Sequence, residues 1–180
     1  MIGKHKYFRV ILITICVVGA GFLFSRQREI IGVDQIGVVV SPGARLAVYQ
    51  AGDRPLVLPL VQHLVRLTAK PIRYELTDAK GIAITRPNQA PLNIGCQVRY
   101  QVDDAAKMVA SQGAEAPQNA LETFILQQLT AQLSAALQPE GASLDDVQTR
   151  VILVGDIHQN LKQALTPLGI EFLSFDLFSW

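Results

Sequence analysis

The sequence predicts an α+β domain, in which an antiparallel sheet packs against two to three helices, carried by a single N-terminal transmembrane helix. Three observations lead to this prediction. Residues 10–24, VILITICVVGAGFLF, carry no charge. Short β-branched or alternating runs, separated by turn residues, fill most of the chain from residue 33 to residue 102. Segments with helical periodicity then follow, before a final strand.

The apolar run Val10 to Phe24 predicts the membrane anchor. As a helix it covers roughly 22 Å, and the flanking residues bring it near the hydrocarbon thickness of a bilayer. We therefore predict a basic tail at residues 1–9, a signal anchor at residues 10–25, a linker at residues 26–32 and a folded domain at residues 33–180. The candidate anchor residues are Val10, Ile11, Leu12, Phe22, Leu23 and Phe24. A cleaved signal peptide is the alternative, because it also places an apolar run after a basic segment.

The charges on the two sides of the run predict its orientation. Lys4, Lys6 and Arg9 precede it, whereas Arg26 and Arg28 follow it with an acidic residue close behind. Cytoplasmic ends of membrane spans carry the excess of Lys and Arg. The slight bias favours an N-terminus in the cytoplasm, with the domain on the opposite, periplasmic or extracytoplasmic, side. If Arg26 and Arg28 determined the orientation instead, the domain would be cytosolic.

Composition excludes several classes of function. The chain has 16 Lys and Arg and 15 Asp and Glu, and three of the basic residues belong to the tail, so that the remainder has a net charge of −2. A nucleic-acid-binding surface needs clustered basic charge, which is missing here. His5, His63 and His158 are scattered, and neither a phosphate-binding glycine loop nor a nucleophile elbow occurs. We predict no catalytic, cofactor or metal site, and interpret Cys96 as a small buried residue.

The strands are predicted from alternation and turn residues. Ile36–Val40 and Arg45–Gln50 flank Ser41-Pro42-Gly43 and predict a hairpin. Leu92–Val102 alternates apolar and polar residues, which predicts one buried and one wet face, and Gly81–Thr85 is its expected antiparallel neighbour. The apolar segment Leu56–Leu67 is interrupted by Pro59, which belongs at an edge or a bend.

Three helices are predicted in the second half. Asp103-Asp104 can cap a short helix, Ala105–Ala110, and a long helix follows at Ala116–Leu137. The polar face of the long helix has no Lys or Arg: Gln118, Glu122, Gln127, Gln128 and Gln132. It is either an ordinary solvated face or a protein-facing surface in an oligomer, because neutral amides are easier to desolvate than ammonium groups.

A third helix is expected to begin at Ser143 and to end before Pro167. Its apolar side is predicted to consist of Leu144, Val147, Val151, Val154, His158, Leu161 and Leu165. Gly169 restarts the chain as a strand, Ile170–Phe175. The aromatic residues that crowd this end are Phe172, Phe175, Phe178 and Trp180. We predict that part of this aromatic end, with Phe178 and Trp180, docks on a neighbouring subunit or on the membrane interface.

Several segments resemble the SPFH or band 7 superfamily, which includes stomatins, prohibitins, flotillins and the bacterial HflK and HflC proteins. Ala51–Pro59 is similar to the family's proline-ended apolar segment, with Gly52 and Pro59 in matching places. Leu92–Asp103 resembles the family's main strand, and Leu129–Phe172 resembles its helical region. The residues that match within these last two segments are Val98, Arg99, Tyr100, Val102, Asp103, Leu144, Leu161, Leu165, Gly169 and Ile170.

The resemblance implies a non-enzymatic scaffold with an SPFH-like domain, which forms homo- or hetero-oligomers with SPFH proteins on a lipid bilayer and organises or regulates other membrane proteins. A membrane protease or a transporter is the implied client. The resemblance also places Leu58, Leu60, Val61 and Leu64 against the membrane surface, although the residues alone equally allow a buried strand pair. Family members usually continue into a long C-terminal coiled coil, whereas this sequence ends at Trp180, so we expect either that it is truncated there or that the protein acts without that helix. The alternative function is a secreted or anchored lipid- or peptide-binding module without large-scale assembly, with a groove beside Leu92–Val102.

Overall fold

The computed structural model describes Thr14 and residues 29–58, 61–77, 81–85, 90–138 and 143–179. The chain divides into two compact units, residues 1–66 and residues 67–180. Antiparallel strands and three helices make up the described residues, which confirms the predicted α+β class. The predicted membrane span, except for Thr14, lies outside these residues. Within them, no helix combines the length and the apolar character that crossing a bilayer needs.

The first unit is built on a sheet in the order β2-β1-β3, with β1 at Gln35–Ser41, β2 at Arg45–Tyr49 and β3 at His63–Thr68. The predicted hairpin is confirmed, since β1 and β2 pair antiparallel from Gly37 opposite Tyr49 to Ser41 opposite Arg45. The turn residues Gly43 and Ala44 both adopt positive φ, at 78° and 57°. Val38 and Val39 of β1 are buried at the centre of this unit.

The second unit is built around β6, Leu92–Val102, which has the predicted bounds. Strand β4, Ile72–Leu76, and strand β7, Ile170–Ser179, both pair with residues 96–100 of β6, so they lie on its opposite edges. Strand β5, Ile82–Ile84, pairs antiparallel with the start of β6, as predicted. The apolar face of β6 is buried from Ile94 to Val102, which confirms this part of the prediction, whereas Leu92 at its start is half-buried.

The other face of β6 is less wet than its sequence indicates. Asn93 and Arg99 are exposed, but Gln97 is buried. The Nε of Arg73 on the neighbouring β4 donates a hydrogen bond to the Gln97 Oε1 at 2.5 Å, and the same arginine forms an ion pair with Glu75. The aliphatic part of an arginine can cover a neighbouring side chain while its guanidinium stays in water. An amide on the polar face is therefore buried without losing its hydrogen bond.

Strand β7 is longer than predicted and contains bulges. Ser174 lies opposite Arg99 and Phe172 lies opposite Tyr100, which leaves Leu173 without a partner on β6. A bulge shifts the alternation of a strand by one residue. Phe172 and Phe175 are consequently both buried, although three positions separate them. The predicted strand ended at residue 175, whereas β7 continues to Ser179 and has a second bulge at Phe178, which lies between the partners of Cys96 and Gly95.

The helices are α1, Ala105–Gln112, α2, Pro117–Leu137, and α3, Val147–Leu165, and a short 3-10 turn, Thr166–Leu168, precedes β7. The predicted cap of α1 is confirmed, because the Asp104 carboxylate accepts a hydrogen bond from the Lys107 backbone N–H at 3.0 Å. Helix α2 buries every fourth residue in its second to sixth turns: Leu121, Ile125, Leu129, Leu133 and Leu137. Its opposite, exposed face is free of charge: Asn119, Thr123, Gln127, Ala131 and Ala135.

Helix α3 differs from its prediction in both start and orientation. Asp146, not Ser143, is the cap, and its carboxylate accepts hydrogen bonds from the backbone N–H groups of Gln148 and Thr149. The buried side consists of Leu153, Ile157, Leu161 and Leu165. Of the predicted face, Leu161 and Leu165 are buried, as is Leu144 just before the helix, and Val154 is half-buried. The placement of His158 on the buried side was wrong: His158 is exposed, with its ring edge-on to Phe172 at a centroid distance of 4.7 Å. Val147 and Val151, expected inside, are 60% and 65% exposed.

Cys96 and Tyr100 form the centre of the second unit and are fully buried. Burial raises the pKa of the Cys96 thiol from its ordinary value of 9.0 to about 12, because a buried thiolate loses its hydration. The pKa of Tyr100 is also raised, by burial first and then by the negative charge of Glu122. The Tyr100 hydroxyl donates a hydrogen bond to the Glu122 Oε1 at 3.5 Å. The interpretation of Cys96 as a buried small residue is confirmed.

The raised pKa of Cys96 predicts a loss of stability in alkaline solution. Below pH 9 the thiol is protonated in both states, whereas between pH 9 and pH 12 only the unfolded chain ionises, so stability falls as pH rises. Between pH 8 and pH 10 the wild type is expected to lose about 1.4 kcal/mol more unfolding free energy than Cys96→Ala. Urea unfolding at the two pH values measures this difference. Equal losses in the two proteins would contradict the assignment.

Candidate membrane-facing surface

Large apolar side chains are exposed on the first unit. Ile30, Val33, Val48, Leu56, Leu58 and Val61 are all between 40% and 89% exposed. We call Ile30, Val33, Leu56, Leu58 and Val61 the apolar surface. Isolated exposed apolar residues are ordinary, whereas a contiguous apolar patch marks a contact with a partner or a membrane. Ile30 and Val33 also lie shortly after the predicted membrane span in the sequence.

A hydrogen-bonded turn holds Leu58 and Val61 in place. The Leu58 carbonyl accepts from the backbone N–H groups of Val61 and Gln62, at 3.2 and 2.8 Å. The Gln62 side chain accepts from the Leu58 N–H at 2.8 Å and donates to the Ser41 Oγ at 2.9 Å. The Gln62 side chain thus hydrogen-bonds both to the backbone of this turn and to Ser41 at the end of β1. These hydrogen bonds fix the backbone at Leu58 and at Val61, whose side chains are 40% and 50% exposed.

Ile30 and Val33 are positioned by the residue between them that packs inward. Ile31 is 1% exposed, and its N–H and C=O pair with the Asp53 carbonyl at 3.0 Å and the Gly52 N–H at 2.9 Å. A Cβ on Gly37 would overlap the Cδ1 of Ile31, so glycine provides the space for this isoleucine. The chain leaving the predicted anchor is therefore docked on the unit from Ile31 onward. Its two neighbouring apolar side chains face outward as a result.

The charged groups near this segment form a weak tie. Arg66 of β3 pairs with Glu29, and both side chains remain almost half exposed. An ion pair in such a setting contributes about 0–1 kcal/mol. It orients the start of the described chain rather than creating a site. In the part of the chain that the structure describes, no group of three or more His, Cys, Asp or Glu side chains could hold a metal ion.

The structure brings together some of the predicted surface residues. Leu58 is 40% exposed and Val61 is 50% exposed, whereas Leu64 is half-buried. Phe178 is 48% exposed but belongs to the second unit. The candidates outside the described residues are Leu60, Trp180 and the six anchor residues Val10, Ile11, Leu12, Phe22, Leu23 and Phe24.

Three residues of the apolar surface were missed by sequence reasoning. Ile30 lies within the predicted linker, and Val33 directly follows that linker. Single apolar residues in such a segment carry no periodic signal. Leu56 was seen as part of a strand-like run. No signal near Ile30 or Val33 identifies them, because their exposure depends on the pairing of Ile31 with the distant Gly52–Asp53 turn.

Two open grooves lie in the second unit, and neither is lined by β6. One, of about 490 Å³, is formed by the turn between α1 and α2 and the first turns of α2. The other, of about 330 Å³, lies between the start of α3 and the end of β7, and includes Val151, Val154 and Leu177. The ligand groove predicted beside β6 therefore has no counterpart in these two grooves.

A model of the SPFH domain / Band 7 family matches residues 29–178. The chain belongs to this family. The match includes both units and every described residue of the apolar surface. The family is one of membrane-associated scaffolds that are generally not enzymes and that commonly oligomerise. No curated protein matches the chain.

Proposed function

We propose that this SPFH protein is a single-span membrane scaffold that self-associates on the bilayer and organises or regulates other membrane proteins. Residues 10–25 are the span, with the N-terminus in the cytoplasm and the domain on the opposite side. A membrane protease or a transporter is the proposed client. No catalytic, metal or cofactor site is part of the proposal.

The observation that carries the proposal is the position of the apolar surface, on the unit that directly follows the proposed span. A unit held at the membrane by a short linker meets the bilayer at a high effective concentration, so modest contacts are sufficient to keep it there. Half-exposed Leu and Val side chains each gain about 1 kcal/mol when the rest of their area leaves water. The apolar surface can therefore hold the first unit against the bilayer.

This surface is best tested without the span. In a full-length chain that carries Ile13→Arg and Val17→Arg, the added pair Leu58→Glu and Val61→Glu is expected to reduce binding to phosphatidylcholine–phosphatidylglycerol vesicles about tenfold. Vesicle flotation measures the bound fraction. The matched control is Ala131→Glu with Ala135→Glu, which adds the same charge to two exposed positions of α2.

The control pair should float with vesicles as well as the parent protein does. Equal binding by the Leu58/Val61 pair and the parent protein would show that the bilayer does not contact this turn. An equal loss in the control pair would show that only net charge was measured. Either result would remove the observation on which the proposal depends.

A further inference from the structure

Helix α3 carries apolar residues on its exposed side that no contact within the described chain explains. Val147, Val151 and Ile152 are 60%, 65% and 56% exposed, although the helix buries a complete face on the other side. Gly155 lies one turn after Val151 on this exposed side, and a Cβ built on it would meet nothing within 4 Å. A glycine inside a helix is less favourable than an alanine, and no atom within 4 Å of the built Cβ accounts for a glycine at this position.

We propose that this exposed side of α3 is a contact with α3 of a second copy of the chain, in an antiparallel pair centred near Leu153. This inference deepens the proposed self-association by naming its surface and its partner, and it rests on the proposed function in that respect. Two features of the helix support a second copy as the occupant. One is the distribution of size along the helix, and the other is the distribution of charge.

Side-chain size along α3 is self-complementary about Leu153. In an antiparallel pair centred near Leu153, Val151 lies opposite Gly155 of the partner subunit, because the two positions are equally distant from the centre. The Val151 side chain of each copy then occupies the space above Gly155 of the partner subunit, which has no side chain. Close approach at a glycine allows the two helix backbones to pack with few gaps, which increases the dispersion contacts.

Charge selects the antiparallel direction. Asp146 caps the start of α3 and is exposed, whereas Lys162 is exposed near its end. An antiparallel pair places Lys162 beside Asp146 of the partner subunit at both ends of the contact. A parallel pair would place like charges and the like ends of two helix dipoles side by side. Gln148, Gln159 and Gln163 add neutral amides to the exposed side, which lose little on desolvation compared with charged groups, and the carboxylate of Asp156 is exposed beside them.

The register makes a sharp prediction for cross-linking. Along the helix axis, the two copies of residue 152 are separated by about 3 to 6 Å, and the two copies of residue 148 by about 15 Å or more. The test uses the full-length chain with Cys16→Ser, purified in mild detergent and oxidised under gentle conditions. Ile152→Cys is expected to form a disulfide dimer in most of the protein, and Gln148→Cys in little of it. Mixed Gln148→Cys and Gln159→Cys chains are expected to cross-link with each other.

Equal cross-linking of Ile152→Cys and Gln148→Cys, or no dimer from Ile152→Cys, would overturn the proposed pair. Cys96 does not contribute to cross-linking, because it is buried within the core of the second unit. The outcome is independent of the apolar surface. Leu58→Glu with Val61→Glu should leave the Ile152→Cys dimer intact even where vesicle binding is lost.

A second variant separates folding from association. Gly155→Gln improves helix propensity and fits the open space in one copy, so Tm should rise by a few degrees. In the pair, the same side chain fills the space that the partner's Val151 needs, so the dissociation constant measured by sedimentation should rise at least tenfold. Ala135→Gln, at an exposed position of α2, is the matched control and should leave the dissociation constant unchanged. Unchanged association of Gly155→Gln would contradict the proposal.

Discussion

Gly169→Ala is expected to lower the free energy of unfolding by about 3 kcal/mol. Gly169 adopts the left-handed conformation, with φ 77° and ψ 27°, between the 3-10 turn and β7. An alanine Cβ there would overlap the Asp104 carbonyl oxygen and lie 2.9 Å from the Lys107 Cβ. The Gly169 carbonyl also accepts hydrogen bonds from the N–H groups of Asp103 and Asp104, at 3.0 and 2.9 Å. The substitution therefore strains the point where β6, α1 and β7 meet.

Gly43→Ala is the matched control for this prediction. Gly43 also has a positive φ, 78°, but a Cβ on it would meet nothing within 4 Å. Its substitution is expected to cost about 1 kcal/mol, from the backbone conformation alone. Urea unfolding followed by circular dichroism measures both variants. Equal losses would show that the contact with Asp104 has no effect on stability.

Placing two arginines in the apolar run is expected to abolish stable insertion. Ile13→Arg and Val17→Arg put charge near the middle of residues 10–24, where each arginine costs about 2.5–3.5 kcal/mol on the insertion scale. The full-length variant should be released from membranes by alkaline carbonate, whereas the wild type stays with them. Val17→Leu keeps the run apolar and is the control. Retention of the double variant would show that this segment does not hold the chain in the membrane.

Local signals were sufficient to predict much of the fold. Alternation defined β6 because one of its faces is buried by the helices, and turn residues defined the β1–β2 hairpin. Asp104 was recognisable as a cap because a carboxylate before an apolar helical run satisfies free N–H groups. These features depend on residues that are close in the sequence. They remain the same wherever the rest of the chain packs.

The features that were missed depend on distant contacts. Helix α3 has apolar residues on more than one side, and only its packing in the second unit selects Leu153 and Ile157 over Val147 and Val151. The bulge at Leu173 exists because the register with β6 requires an extra residue. A periodic pattern contains neither kind of information. Both errors therefore occurred where several arrangements satisfied the local sequence.

The candidate surface was predicted in part for the same reason. The turn at Leu58 and Val61 lies within one apolar segment that the family resemblance identified. Ile30 and Val33 become part of the surface only because Ile31 packs inward and pairs with the distant Gly52–Asp53 turn. No pattern near Ile31 indicates that partner. The membrane contact of the whole surface stays a prediction.

Membrane extraction and particle mass of the full-length chain, expressed in its native type of cell, test the scaffold account most directly. Carbonate and detergent extraction, followed by light scattering and N-terminal sequencing, provide the three readouts. The account predicts a protein that resists carbonate, forms detergent-soluble oligomers and retains Met1 or Ile2. A soluble monomer that begins near Phe22 would contradict the account and favour a secreted ligand-binding module.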